Sequence, residues 1–249
     1  MTLPVNLASS FGYNRDTLVS NNALIPIAYY LLKTGSPSNF VLSSHFVEDR
    51  EKIRKWLIAS LLKRAFSGSP DTVLRPIRQI IDKSHEAFPL AEIVEEFRGK
   101  PKSLAFNYDE IDNLFAYSYG SAYVFSTLAV LYPTLDYRNR FHLDHIFPKS
   151  KFKRRLLLKQ GIPEHQLDFY LAEVDGLANL QLLEGLVNIE KQAVDFEQWL
   201  DGNHHESTRS DFMHKHHIPT VDLSLQNFEE FIGARKKIMK KRFESLLSI

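Results

Sequence analysis

An aspartate followed directly by a histidine, Asp144-His145, closes a short alternating stretch, FHLDHIF. Hydrolysis of a phosphodiester needs a base that activates water and a cation that stabilises charge developing on the phosphate and the departing oxygen. The pair can serve both needs. Neighbouring strand residues point to opposite faces, but at a strand's end the chain turns, so Asp144 can face a metal while His145 reaches the attacking water. His142, two residues earlier, shares the face of Asp144. It is a candidate ligand or substrate contact, or simply a strand histidine satisfied by a neighbour. Further on, Asn188 stands near a helix start with Lys191 on the same side one turn later, so an amide carbonyl and an ammonium can face one phosphate.

The elements that must position these groups fall into two styles. From Asn22 to Leu131 the chain reads as helix after helix. Ala23, Leu24, Ile27, Ala28, Leu31 and Leu32 form one apolar face, which Gly35 and Pro37 close. A second helix is expected over Val47 to Phe66, ended by Ser67-Gly68-Ser69-Pro70, and a third after Asp71 as its cap. Shorter helices follow at 90–98 and 109–117, and 121–131 reads as a buried helix stopped by Pro133. Periodicity changes at Arg140. FHLDHIF and Ala178–Leu182 read as two short strands, separated by helical stretches at 151–160 and 163–174 and followed by a helix over 188–200. The stretch 202–217 is polar and rich in histidine, reading as loop with at most one helix, and its His204, His205, His214, His216 and His217 resemble a metal tract but read better as solvated, for want of a carboxylate framework at fixed spacing. An amphipathic helix over 228–247 completes the chain.

The expected fold class is therefore mainly α (α+β): a bundle-like helical region, 1–137, an inserted small ββα module, 138–200, and a C-terminal loop and helix, 201–249, packing on that module. A chain of 249 residues suffices for such an arrangement. The absence of cysteine excludes disulfides, thiolate zinc sites and cysteine nucleophiles. No stretch reaches the roughly 18 apolar residues that span a bilayer, and no signal sequence is read at the N-terminus, so no membrane partner and a cytoplasmic location are expected. Net charge is only +1, so a nucleic-acid partner must be met by local patches. One such patch is Lys149, Lys151, Lys153, Arg154 and Arg155, directly after the Asp-His pair. A second run, Arg235, Lys236, Lys237, Lys240, Lys241 and Arg242, reads equally well as the solvated face of a helix.

HLDHIFPKS followed by LANLQLLEGLVNIEK resembles the HNH (ββα-metal) endonucleases, and within them the C-terminal nuclease region of GmrSD-type modification-dependent restriction enzymes. The helical stretches NALIPIAYYLL, IRKWLIASLL and FSGSPDTVLRPIR resemble the segment preceding the nuclease motif in such proteins, so the likeness covers most of the chain. It implies that His145 is the general base, Asp144 and Asn188 the protein ligands of one Mg²⁺ or Mn²⁺, and Lys191 a phosphate contact. Asn179, as the central Asn of the motif in the second strand, would hold the loop that positions His145. Oxygen ligands of this kind suit a hard cation better than Zn²⁺. Asn188 stands where a histidine is common in the motif, and the insertion between the strands is longer than in minimal modules.

The resemblance further implies double-stranded DNA as substrate and a role in restriction, a defence against foreign or modified DNA. Enzymes of this type also carry a nucleotide-hydrolysing domain with an Asp-Gly-Gln-Gln-Arg segment. These residues contain none, so that domain would be a separate partner or part of a longer chain. Two alternatives stand beside this reading: an inactive module that binds nucleic acid or a protein partner, and an RNA-cleaving toxin using the same site.

Overall fold

A computed structural model describes the chain except for Met1, His85, Glu86, Arg138, Arg140, Leu186, Asn188, Ile189, Glu190, Gln192, Ser248 and Ile249, and the side chain of Glu206. In chain order the elements are α1 (Thr2–Ser10), α2 (Leu24–Lys33), α3 (Val47–Leu62), α4 (Asp71–Lys83), α5 (Leu90–Glu96), α6 (Tyr108–Asn113), α7 (Val124–Leu131), β1 (Phe141–His145), α8 (Arg154–Lys159), α9 (Leu167–Glu173), β2 (Leu180–Glu184), α10 (Phe196–Asn203), α11 (Glu206–Lys215) and α12 (Phe228–Leu246). The protein is mainly helical with a small two-stranded antiparallel sheet. Among the described residues no helix is long and apolar enough to cross a membrane.

The chain divides into two compact units. The first comprises residues 1–107, 125–138 and 246–249, the second 108–124 and 139–245. The boundary between the units falls at 138/139, residues 108–124 group with the sheet-bearing unit, and 139–245 belong to that unit throughout.

In the first unit, Ile53, Trp56, Leu57 and Leu61 of α3 are buried with Ile27 and Leu31 of α2 and Ile77 and Ile81 of α4. Trp56 meets Phe66 and Phe88 edge-on, with ring centroids 6.2 and 5.8 Å away. α3 stops four residues before the expected end, because Arg64 turns into the left-handed region (φ 49°) and Ala65 N–H reaches back to Ser60 O at 2.9 Å. Such a left-handed residue closes a helix and satisfies its last carbonyls. Asp71 is the first residue of α4 rather than its cap, since Pro70 already has helical angles (φ −58°, ψ −31°). α1 has no counterpart in the sequence reading. Its Leu7 and Ala8 are buried, although the stretch carries no strong periodicity.

In the second unit β1 pairs with β2 in the register His142↔Leu183, Asp144↔Gln181, His145↔Leu180. β2 lies two residues later than expected, which leaves Asn179 on the 3-10 turn Leu177–Asn179 just before the strand. α12 buries Phe228, Phe231, Ile232, Arg235, Met239 and Phe243. Phe228 and Phe231 hold Phe147, just past β1, between centroids at 5.2 and 4.8 Å. The segment that follows His145 is anchored by these aromatic contacts.

Candidate active site

The end of β1 is fastened through the side chain of Asn179, which is fully buried. Its Oδ1 accepts the N–H of Phe147 at 2.9 Å, and its Nδ2 donates to Phe147 O at 3.1 Å and Val174 O at 2.8 Å. Its backbone carbonyl accepts Ile146 N–H at 2.8 Å. The amide orientation follows from this set, because only oxygen can accept an N–H and only nitrogen can donate to two carbonyls. Asn179 therefore ties the chain after His145 to the chain before Asp175.

His145 lies half-buried at the end of β1. Its Nε2 is 2.8 Å from Asp175 Oδ1, and Lys149 Nζ donates to Asp175 Oδ2 at 2.6 Å. The Tyr119 ring packs on the imidazole with centroids 4.6 Å apart. The Tyr119 N–H donates to Asp175 O at 2.7 Å, beside a bridge between Ser118 and Gly176. Burial lowers the His145 pKa below its ordinary value, although Asp175 and Asp144 pull the other way. Burial raises the Asp175 carboxyl, but the hydrogen bonds from Lys149 and His145 outweigh it and leave the group below the usual carboxylate range. Near neutral pH the site thus holds a neutral imidazole beside an ionised carboxylate.

Asp144, 9% exposed, points to the other side of the strand pair. Gln181, its cross-strand partner, donates Nε2–H to Asp144 Oδ2 at 2.8 Å. Lys191 Nζ lies 2.9 Å from the same oxygen and donates to His145 O at 2.5 Å. Lys191 was expected to face a bound phosphate. It is instead fully buried, because the Asp144 carboxylate and the His145 carbonyl at the strand end draw its ammonium inward. Burial lowers its pKa, opposed by Asp144.

The donor that a hard divalent cation would use here is the Asp144 carboxylate, which Lys191 already meets. Both contacts to Asp144 fall on Oδ2, leaving Oδ1 as a carboxylate donor. Asn188, the expected second ligand, lies outside the described residues. His142 is half-buried on the Asp144 side of β1, opposite Leu183. Among the described residues no three His, Asp or Glu side chains are grouped to hold an ion.

The basic run after β1 is largely partnered. Lys149 pairs with Asp175, Lys151 with Asp195, and Arg154 with Glu164 and Asp168. Lys153 and Arg155 are exposed with no acidic partner among the described residues.

Three features escaped the sequence reading. Asp175 carried no motif. Arg235, assigned to a run that reads as a solvated face, is fully buried, with Nη1 donating to Ala178 O and Leu180 O at 2.8 and 2.9 Å and Nη2 to His216 O at 2.9 Å. It braces both sides of Asn179. Its spacing with Phe228, Phe231, Ile232, Met239 and Phe243 is that of one helix face, which is the signal that could have placed it inside. The histidine-rich stretch also departs from a solvated loop. α11 organises it, His216 and His217 are buried, and the His216 ring stacks on Phe212 with centroids 4.2 Å apart.

In comparisons with known proteins, no family model and no curated protein matches the chain.

Proposed function

We propose that this protein is a metal-dependent HNH-type endonuclease that hydrolyses phosphodiester bonds of double-stranded DNA, acting in the cytoplasm in defence against foreign or modified DNA. The observation that carries the reading is the Asn179 clamp. A central asparagine uses its whole amide to fix the turn carrying a neutral histidine at the end of the first strand, with a carboxylate beside it on the opposite face.

His145 takes the proton of the attacking water as the new P–O bond forms and the bond to the departing oxygen breaks. Asp144, together with Asn188, would hold a Mg²⁺ or Mn²⁺ ion, which when bound supplies positive charge to the phosphate and the leaving oxygen. Lys153 and Arg155, exposed and with no acidic partner among the described residues, are the cations best placed in charge terms to meet the DNA backbone. A nucleotide-hydrolysing domain, as a separate partner or as part of a longer chain, belongs to this reading.

One observation favours a second reading, a module that binds nucleic acid or a protein without cutting. The Lys191 ammonium already neutralises Asp144, the carboxylate on which cation binding depends.

The two separate in one assay. Supercoiled plasmid, with and without methylated or glucosylated cytosine, is incubated with native protein and His145→Ala in Mg²⁺, Mn²⁺ or EDTA, with RNA in parallel. Nicking lost in the variant and in EDTA supports the nuclease. Intact plasmid in every condition, with retained DNA binding, supports the binding module, and cleavage of RNA alone transfers the site to that substrate.

A further inference from the structure

We propose that Asp175 is the positioning residue of this site: its carboxylate holds His145 as the Nε2–H tautomer, leaving Nδ1 as the nitrogen that receives the proton of water. The proposal rests on the nuclease reading for its catalytic meaning, and on geometry alone for the dyad itself.

A carboxylate held ionised can only accept. The 2.8 Å contact between Asp175 Oδ1 and His145 Nε2 therefore requires a proton on Nε2, and an imidazole that acts as a base carries no second one. Nδ1 is then bare, with its lone pair available. Every other contact of Asp175 serves to hold that carboxylate still. Lys149 takes the second oxygen at 2.6 Å, and the backbone carbonyl of Asp175 receives the Tyr119 N–H at 2.7 Å. The Asn179 amide grips Val174, the preceding residue. Tyr119, locked by its own backbone bond to Asp175, closes on the ring and limits its rotation. Gly176 permits the turn to pass close to Glu173, since a Cβ there would lie 2.8 Å from Glu173 Oε2 and 3.1 Å from Glu173 O.

The arrangement does more than neutralise a histidine. A purely structural ion pair would be served by any exposed acid near the ring, whereas here two chain segments thirty residues apart are bound so that the carboxylate meets one particular nitrogen. Lys149 also draws charge from Asp175, which opposes transfer of the Nε2 proton to the carboxylate and keeps it on the imidazole.

The test compares native protein with Asp175→Ala, Asp175→Asn and Asp175→Glu, each checked for folding by its thermal transition. With ¹⁵N-histidine labelling, the native protein should show a downfield, exchange-protected His145 Nε2–H, assigned by its absence in His145→Ala and lost in Asp175→Ala. On plasmid DNA, kcat should fall about a hundredfold in Asp175→Ala with KM changed less than about threefold, the scale of removing a side chain that orients a catalytic group. Asp175→Asn should lie between, and Asp175→Glu should recover part of the loss. A native His145 without that resonance, a resonance surviving in Asp175→Ala, or an unchanged kcat in a folded Asp175→Ala overturns the proposal. If native protein cuts no nucleic acid, the nuclease reading fails separately, and the imidazole resonance alone upholds or overturns the dyad.

Discussion

The two compact units bury titratable groups of opposite kinds. In the first, they are mostly phenols: Tyr13, whose hydroxyl donates to Ser126 Oγ, Tyr30, which donates to Asp49, and Tyr137, which donates to Tyr132 O. Burial pushes all three pKa values up, that of Tyr137 to about 12, so these groups are neutral across ordinary pH. In the sheet-bearing unit, Tyr170 is similar, but His145, His216, His217 and Lys191 are all pushed down by burial. An interior of neutral phenols serves packing. An interior that keeps imidazoles neutral and pairs an ammonium with a carboxylate makes that unit's stability depend on acid and on its charge partners. The chain's two tryptophans allow the difference to be measured, since Trp56 is buried in the first unit and Trp199 in the second. Single-tryptophan variants would report each unit's unfolding.

The strongest way to break the comparison is Lys191→Met. It leaves the Asp144 carboxylate in the interior with the Gln181 amide, and removing one partner of a buried pair costs about 3–5 kcal/mol. In EDTA the urea midpoint reported by Trp199 should fall accordingly, and Mn²⁺ should restore part of the loss by taking the place of the ammonium charge. Arg54→Met in the first unit, where the guanidinium serves the Ala129 and Tyr132 carbonyls, should also destabilise, but with no response to Mn²⁺. Equal Mn²⁺ responses in the two variants, or none in either, would remove the cation from the account of this site.

Asn179→Asp is next in size. A carboxylate would face two carbonyls where Nδ2 now donates, and about 3 kcal/mol is expected from lost and repelled buried partners. The Trp199 transition should move and the Trp56 transition should stay. A shift confined to Trp56 would contradict the clamp.

These two residues also show what was legible in the sequence. Asn179 was singled out because LANLQLL after HLDHIFPKS resembles the central segment of the HNH motif, and the helices were legible because burial on one face repeats every three to four residues, as in Ile53, Leu57 and Leu61. Asp175 was not, because its partner is thirty residues away across an insertion that no local period describes. Lys191 was found as a residue but placed at a phosphate. Spacing along a helix says which face a side chain shares, but a long flexible ammonium settles wherever the nearest uncompensated oxygens lie. Arg235 was hidden by its neighbours: in a run of cations, the one on the apolar stripe looks like the rest.

A pH series sharpens the comparison further. His217 is pushed down to about 4, chiefly by burial and then by Arg235 and Arg242. Between about pH 6.5 and 4 the unfolded chain therefore binds a proton that the folded unit does not. Stability rises with pH wherever the unfolded state holds more protons, so it is complete above about 6.5 and is lost as pH falls through that window, by about 3 kcal/mol for His217 alone. The Trp199 midpoint should drop on acidification, and less so in His217→Gln. For the phenols the sign reverses: above about pH 10 the unfolded chain loses protons that the folded first unit keeps, so the Trp56 midpoint should fall on the alkaline side.

The smallest effects belong to the surface cations, and there stability and binding should part. Lys153→Gln and Arg155→Gln remove exposed charges that have no acidic partner among the described residues, so neither tryptophan transition should move by more than about 0.5 kcal/mol. If these side chains meet the DNA backbone, each change should weaken binding several-fold and reduce the slope of log affinity against log salt by about one. Lys151→Gln and Arg154→Gln should change that slope less, because Asp195, Glu164 and Asp168 already hold their charge. A salt titration of the four variants orders them. If the partnered pair dominates instead, DNA displaces those acids and the ion pairs are part of the binding step.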